Sequence, residues 1–166
     1  MLCSRLLFLL NLVLLMIFLS GCGQSEDQRE FEREARSAPQ GFTETNERGE
    51  IIDGNEDPDD WRVAPFYQGL VNIFPAYPNP VLTNDRLIIE VQITGIDAVT
   101  GIQVYANYGT YVKPLYSETS NLFGLISISL NPLDIAERPE APQGLYRIII
   151  MDSQNNIISY GDVQVQ

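Results

Sequence analysis

The chain contains no histidine, and its two cysteines, Cys3 and Cys22, both lie in the first 22 residues. Without histidine, imidazole acid–base chemistry, His-dependent triads and His–zinc sites are excluded. Basic residues are scarce: 10 Lys and Arg face 22 Asp and Glu, a formal net charge of −12. Nucleic-acid affinity comes mainly from Lys and Arg neutralising phosphates, so the balance argues against nucleic acid as a partner. The same sign disfavours electrostatic docking onto anionic lipid headgroups. No Gly-rich phosphate loop, nucleophile elbow or metal-ligand spacing is present, and no cofactor or enzymatic activity is expected.

What the chain does have begins with one long apolar run. Leu6 to Leu19 is apolar except for Asn11 and follows a short segment carrying Arg5. As a helix those residues would span roughly 21 Å, short of the ~30 Å hydrocarbon core, which fits a signal-peptide core better than a membrane span. The tetrad Leu19-Ser20-Gly21-Cys22 follows directly. It resembles the lipobox of bacterial lipoproteins, in which an aliphatic residue and two small ones precede a cysteine that accepts lipid. That resemblance implies a signal peptide over 1–21, cleavage between Gly21 and Cys22, and acylation of Cys22. The mature protein would then carry neither a disulfide nor a free thiol. It also implies an envelope localisation, with the membrane as partner through the lipidated cysteine. Gly23 stands where enteric-type lipoproteins carry the Asp that retains them at the inner membrane, which points to the outer membrane. Ser25-Glu26-Asp27 resembles the Ser-acid-acid export signals of surface lipoproteins, and reads equally as a solvated charge run.

Residues 22–60 are expected to form the lipidated cysteine and an acidic flexible tether. From 23 to 60 there are 13 acids, 4 arginines and two phenylalanines. Such a segment holds too little apolar surface to offset the entropy of ordering. As a flexible coil it would span roughly 35 Å. Ser25-x-x-Gln28 reads as a capping box, but Phe31 alone predicts only a transient helix. Asp53-Gly-Asn55-Glu-Asp57-Pro-Asp59 alternates oxygens like a calcium loop. It fails at Pro58, where glycine is needed, and at Ala64, where the bidentate glutamate belongs.

From Trp61 onward aliphatic and aromatic residues alternate with polar ones. Seven strands are expected, near 69–74, 86–94, 101–106, 111–116, 122–130, 145–151 and 156–165. Leu87, Ile89, Val91 and Ile93 keep strict period two, and Ile148-Ile149-Ile150 reads as a central strand. Turn residues separate them, and the one helical candidate is a short turn near 132–137. The predicted fold is all-β: an Ig-like or fibronectin-like antiparallel sandwich over 61–166.

Within it, Tyr77-Pro78-Asn79-Pro80, Gly101-Ile-Gln-Val-Tyr105, Tyr108-Gly109-Thr-Tyr-Val112 and Pro142-Gln-Gly144-Leu-Tyr146 occur in order. Together they make residues 77–166 similar to the C-terminal sorting domain of type IX secretion cargo, which implies recognition by that export machinery. Each residue also has a plain structural use, since paired prolines stop a ladder and Gly109 permits a tight hairpin. Lys113 reads as an edge charge, and Asp134, Glu137 and Glu140 as a solvated crossover. Trp61, Tyr67, Tyr108 and Tyr111 are the candidate binding aromatics, considered with Phe66, Tyr105 and Tyr116. An exposed coplanar pair would favour a polysaccharide, and a bare edge strand another envelope protein.

Overall fold

The computed structural model describes residues 25–166. The signal segment and the lipobox, with Gly21 and Cys22, lie outside the described residues. Seven strands form two antiparallel sheets, as the alternation predicts. In chain order they are β1 (Val71–Ile73), β2 (Leu87–Ile93), β3 (Thr100–Asn107), β4 (Val112–Asn121), β5 (Gly124–Leu130), β6 (Gly144–Met151) and β7 (Ile157–Val165). One sheet has the order β1-β2-β5 and the other β4-β3-β6-β7. Helix α1 spans Glu26–Ala35, a 3-10 turn covers Pro65–Tyr67, and helix α2 covers Pro132–Ile135. Among the described residues no helix is long and apolar enough to cross a membrane.

The core follows the period-two pattern. In β2, Leu87, Ile89, Val91 and Ile93 point inward while Ile88, Glu90 and Gln92 face partly outward. Ile126, Ile128 and Leu130 of β5 pair with Val91, Ile89 and Leu87 in register. β6 lies between β3 and β7, and Ile148, Ile149 and Ile150 are wholly buried, matching their apolar character on both faces.

The segment expected to be a tether is instead packed on the sandwich from α1 to Asp60. Ser25 caps α1, its hydroxyl accepting from the Gln28 amide at 3.2 Å. The Gln28 side chain does not close the box; its carbonyl accepts from the amide of Phe66 at 3.1 Å. Phe31 and Ala35 are buried, and the Phe31 ring sits 5.1 Å from that of Tyr160 on β7. Burying one phenylalanine contributes about 1.5–3 kcal/mol, which a lone peptide helix lacks. Beyond α1, Thr45 exchanges backbone hydrogen bonds with Asn79 at 2.8 and 3.2 Å, and its hydroxyl donates to the Ala76 carbonyl at 2.7 Å. The partners lie far away in sequence, so composition alone could not reveal them.

This cover explains why β7 is buried on both faces. Trp61 to Ala64 runs beside the strand, with amides of Trp61 and Ala64 donating to Tyr160 and Ile158. The Trp61 indole lies on Gly161, where an added Cβ would come within 2.2 Å of the ring. Position 161 therefore needs glycine.

Phe31→Ala should lower stability by about 3 kcal/mol and accelerate tryptic cleavage after Arg33 and Arg36. Unchanged cleavage rates would show that α1 is not held by that side chain.

Candidate functional site

Two opposite charges stand inside apolar strands, Arg147 on β6 and Asp162 on β7. They are register partners, so the pleat puts both side chains on the same face. The pair is bidentate: Nε and Nη2 of Arg147 donate to Oδ1 and Oδ2 of Asp162, each at 2.7 Å. Nη1 donates to the Glu34 carbonyl at 2.6 Å and the Ser37 hydroxyl at 3.0 Å. The guanidinium carbon lies 4.8 Å from the Tyr160 ring centre. Burial alone would push the Arg147 pKa down, but the Asp162 bonds and charge outweigh it and hold it above its ordinary value.

Asp60 joins this group from the end of the acidic segment. Its Oδ1 accepts from the Asp162 amide at 2.6 Å and its Oδ2 from the Thr43 amide at 2.9 Å. Both bonds favour the carboxylate, yet desolvation is the larger effect, reinforced by the Asp162 charge, and raises its pKa to about 7. A polar cleft of about 150 Å³ opens here, lined by Glu34, Gln40, Asp60, Arg147 and Tyr160 among others. A carboxyl titrating near neutrality is a feature of acid–base sites. Here both its oxygens are engaged by backbone donors, and the arrangement joins three chain segments.

A wider groove of about 500 Å³ runs alongside, between α1 and residues 62–68. Arg62 stands in it, pairing with Glu34 and donating to the Tyr160 hydroxyl at 2.7 Å. Asn79 forms the second internal tie. Wholly buried, it donates from Nδ2 to the carbonyls of Thr43 and Asp162 at 3.1 and 3.0 Å, and accepts from the Gln164 amide at 2.9 Å. Pro78 and Pro80 flank it through cis peptide bonds.

The four aromatics singled out in the sequence do not form one platform. Trp61 and Tyr67 are buried, contrary to a binding role at the surface. Trp61 is held by its packing on Gly161, and the Tyr67 hydroxyl donates to Asp152 at 2.8 Å. Tyr108 is half-buried, donates to the Ile135 carbonyl at 2.6 Å, and has its pKa raised to about 12 mainly by burial. Tyr111 is 49% exposed and lies 4.8 Å from the Tyr108 ring, but the planes are tilted by 43°, so no coplanar pair results. Phe66 is exposed, Tyr105 and Tyr116 are half-buried, and Asp134, Glu137 and Glu140 all face solvent. Among the described residues no group of three or more acidic side chains is placed to hold a metal ion.

Arg147, Asp162 and Asp60 were not among the residues singled out. The available signal was a charge of each sign within neighbouring apolar strands, which implies an ion pair between them. Asp60 had no such signal, being one acid among 13 in its segment. Compared with protein-family models and with curated proteins, the chain matches none.

Because the folded state raises the Asp60 pKa, its contribution to stability is fully present below its unfolded pKa near 4. It is lost as pH rises through about 7. Between pH 5 and 8 the wild-type protein should lose roughly 2–3 kcal/mol from this group. Asp60→Asn should lower the baseline, since one acceptor is lost, and flatten the pH slope. An equally steep slope in the variant would assign the pH dependence to other groups.

Proposed function

We propose that this protein is a lipid-anchored component of the cell envelope, and that its β-sandwich is a non-catalytic interaction module. The lipobox-like tetrad Leu19-Ser20-Gly21-Cys22, placed at the end of a 14-residue apolar run from Leu6 to Leu19, carries the anchor. Acylation adds about 0.8 kcal/mol per buried CH₂; one chain binds only marginally, and two or more make attachment stable. The absence of Asp after Cys22 favours the outer membrane. A chain without histidine, whose thiols are lost to cleavage and acylation, has little to run chemistry with.

The interaction surface we favour is the free edge of β5. Its seven residues, Gly124-Leu-Ile-Ser-Ile-Ser-Leu130, include no charge and no proline, and among the described residues it pairs only with β2. Exposed edges are ordinarily blunted by such residues, and an unblunted one accepts an extended segment of another protein. β4, one edge of the other sheet, carries Lys113, Pro114 and two register shifts against β3, and β7, its other edge, is covered by residues 61–64. An envelope protein adding a strand to β5 is therefore the partner class we favour over a polysaccharide. The order of motifs from Tyr77 to Tyr146 supports a second reading, export through type IX machinery. We place it second because Asn79, the centre of its opening motif, makes its hydrogen bonds inside the fold.

Metabolic labelling with a clickable fatty acid should mark the protein and move it into detergent, and Cys22→Ala should abolish both. A photo-crosslinking residue at Ser127 of β5 should trap an envelope protein on whole cells, while one at Ser117 of β4 should not. Labelling that survives Cys22→Ala would reject the anchor, and trapping from Ser117 alone would reject the β5 edge.

A further inference from the structure

The two ends of the sandwich differ in surface chemistry. One end is built from residues 65–70, 94–99, 121–124 and 152–156. Their neighbourhood is set by contacts: the amides of Thr94 and Gly95 donate to the Leu70 carbonyl, Asn121 donates to Asp97 at 3.1 Å, and Tyr67 donates to Asp152. Large apolar side chains gather here. Among the described residues, the four that are at least 60% exposed are Phe66 at 67%, Ile96 at 83%, Phe123 at 68% and Leu125 at 60%. The first three belong to these loops, and Leu125 is the second residue of β5, paired with Gln92 near the end of β2. Scattered exposed apolar residues are ordinary, but their concentration at one end calls for an apolar neighbour.

The charge follows the same division. Those four loops contain two carboxylates, Asp97 and Asp152, and no cation, in a chain of 22 acidic residues. Asp152 is buried, and both its oxygens accept hydrogen bonds. Apart from Glu26 and Asp27 of α1, this end therefore brings one exposed carboxylate, Asp97, toward a headgroup layer.

The same end is where the described chain begins. Helix α1 runs alongside β7 from the β6–β7 turn downward: Gln28 bonds to Phe66, Phe31 packs on Tyr160, and the Glu34 carbonyl reaches Arg147. Its first turn thus lies beside Phe66. Cys22 is three residues before Ser25, and chain geometry limits that step to about 11 Å. The polar layer between the hydrocarbon core and water is roughly 5–8 Å deep on each side. A packed α1 therefore replaces the expected 38-residue spacer with a link that, even fully extended, leaves this end only a few ångströms beyond that polar layer.

We infer that the end bearing Phe66, Ile96, Phe123 and Leu125 docks into the lipid surface beside the acylated Cys22, so that the module stands on the membrane in one orientation. The inference rests on the proposed acylation of Cys22. The anchor makes the contact intramolecular, so a modest apolar patch is sufficient to hold the orientation. Exposed Glu26 and Asp27 in the first turn of α1 sit at headgroup level, which favours a zwitterionic surface over an anionic one. The opposite end, with Tyr111, Glu140 and the β6 entrance, faces away.

The test uses the full acylated chain in phosphatidylcholine vesicles, with acylation scored first by intact mass. Phe123→Cys and, at the far end, Glu140→Cys each supply one free thiol for a polarity-sensitive fluorophore. The label at 123 should shift to the blue and be quenched by nitroxide lipid, while the label at 140 should do neither. Adding Phe66→Asp and Ile96→Asp should abolish the shift at 123; both side chains are exposed, so the core is untouched. An acylated protein whose label at 123 meets aqueous quencher as freely as that at 140 overturns the docking and leaves the anchor standing. Shielding from both quenchers would put a protein on this end and also overturn it. An unacylated Cys22 would remove the anchor, and the docking with it.

Discussion

Arg147 brings a permanent positive charge into a strand with buried neighbours, and much of the surrounding structure can be understood as the answer to that charge. An uncompensated buried ion costs several kcal/mol, so its donors need acceptors that burial cannot remove. Asp162 supplies two oxygens from the next strand, and the Glu34 carbonyl supplies a third acceptor from the C-terminal turn of α1. The remaining carboxylate capacity of Asp162 is filled by the Gln40 amide at 3.0 Å. Its backbone in turn serves Asp60 and Asn79. One strand pair thus orients α1, the segment from Ser37 to Asp60, and the Tyr77–Pro80 turn.

The outer face of β7 follows from the same constraint. A strand carrying Ile157, Ile158 and Tyr160 needs cover on both sides, and the covering pieces are drawn from residues 26–64. Within that region the acids act less as a repelling run than as a set of acceptors. Asp57 Oδ1 accepts from the Asp59 amide at 3.0 Å, and Asp60 ties two separate segments. Carboxylates that accept backbone donors can stand close together without disorder, because each is paired with dipoles. Asp60 marks the cost of that arrangement, with burial raising its pKa to about 7.

Direction along the sandwich matters for the proposed anchor. The start of α1 and the most exposed apolar side chains share one end, whereas Asn79, the acidic crossover and the C-terminal residue lie toward the other. The free edge of β5 runs along the side between them and meets the proposed membrane-facing end at Leu125, so membrane contact there would leave Ile126–Leu130 open to strand addition.

Sequence alone determined the features that depend on neighbouring residues. Period-two alternation in Leu87–Ile93 and Ile126–Leu130 set the strands and their inward faces, because successive side chains of an extended chain alternate sides. Turn residues set the breaks, Ser25 the start of α1, and the tetrad ending in Cys22 the proposed anchor. Tertiary structure decided what depends on distant partners. A helix with one phenylalanine is stable only where Tyr160 receives it, and an acidic segment is ordered only where Thr45 meets Asn79 and Gln40 meets Asp162. Trp61 and Tyr67 could not be sorted from exposed aromatics by type, since an amphipathic ring suits either place. Gly161 under one and Asp152 beside the other decided it, and both lie more than 80 residues further along the chain.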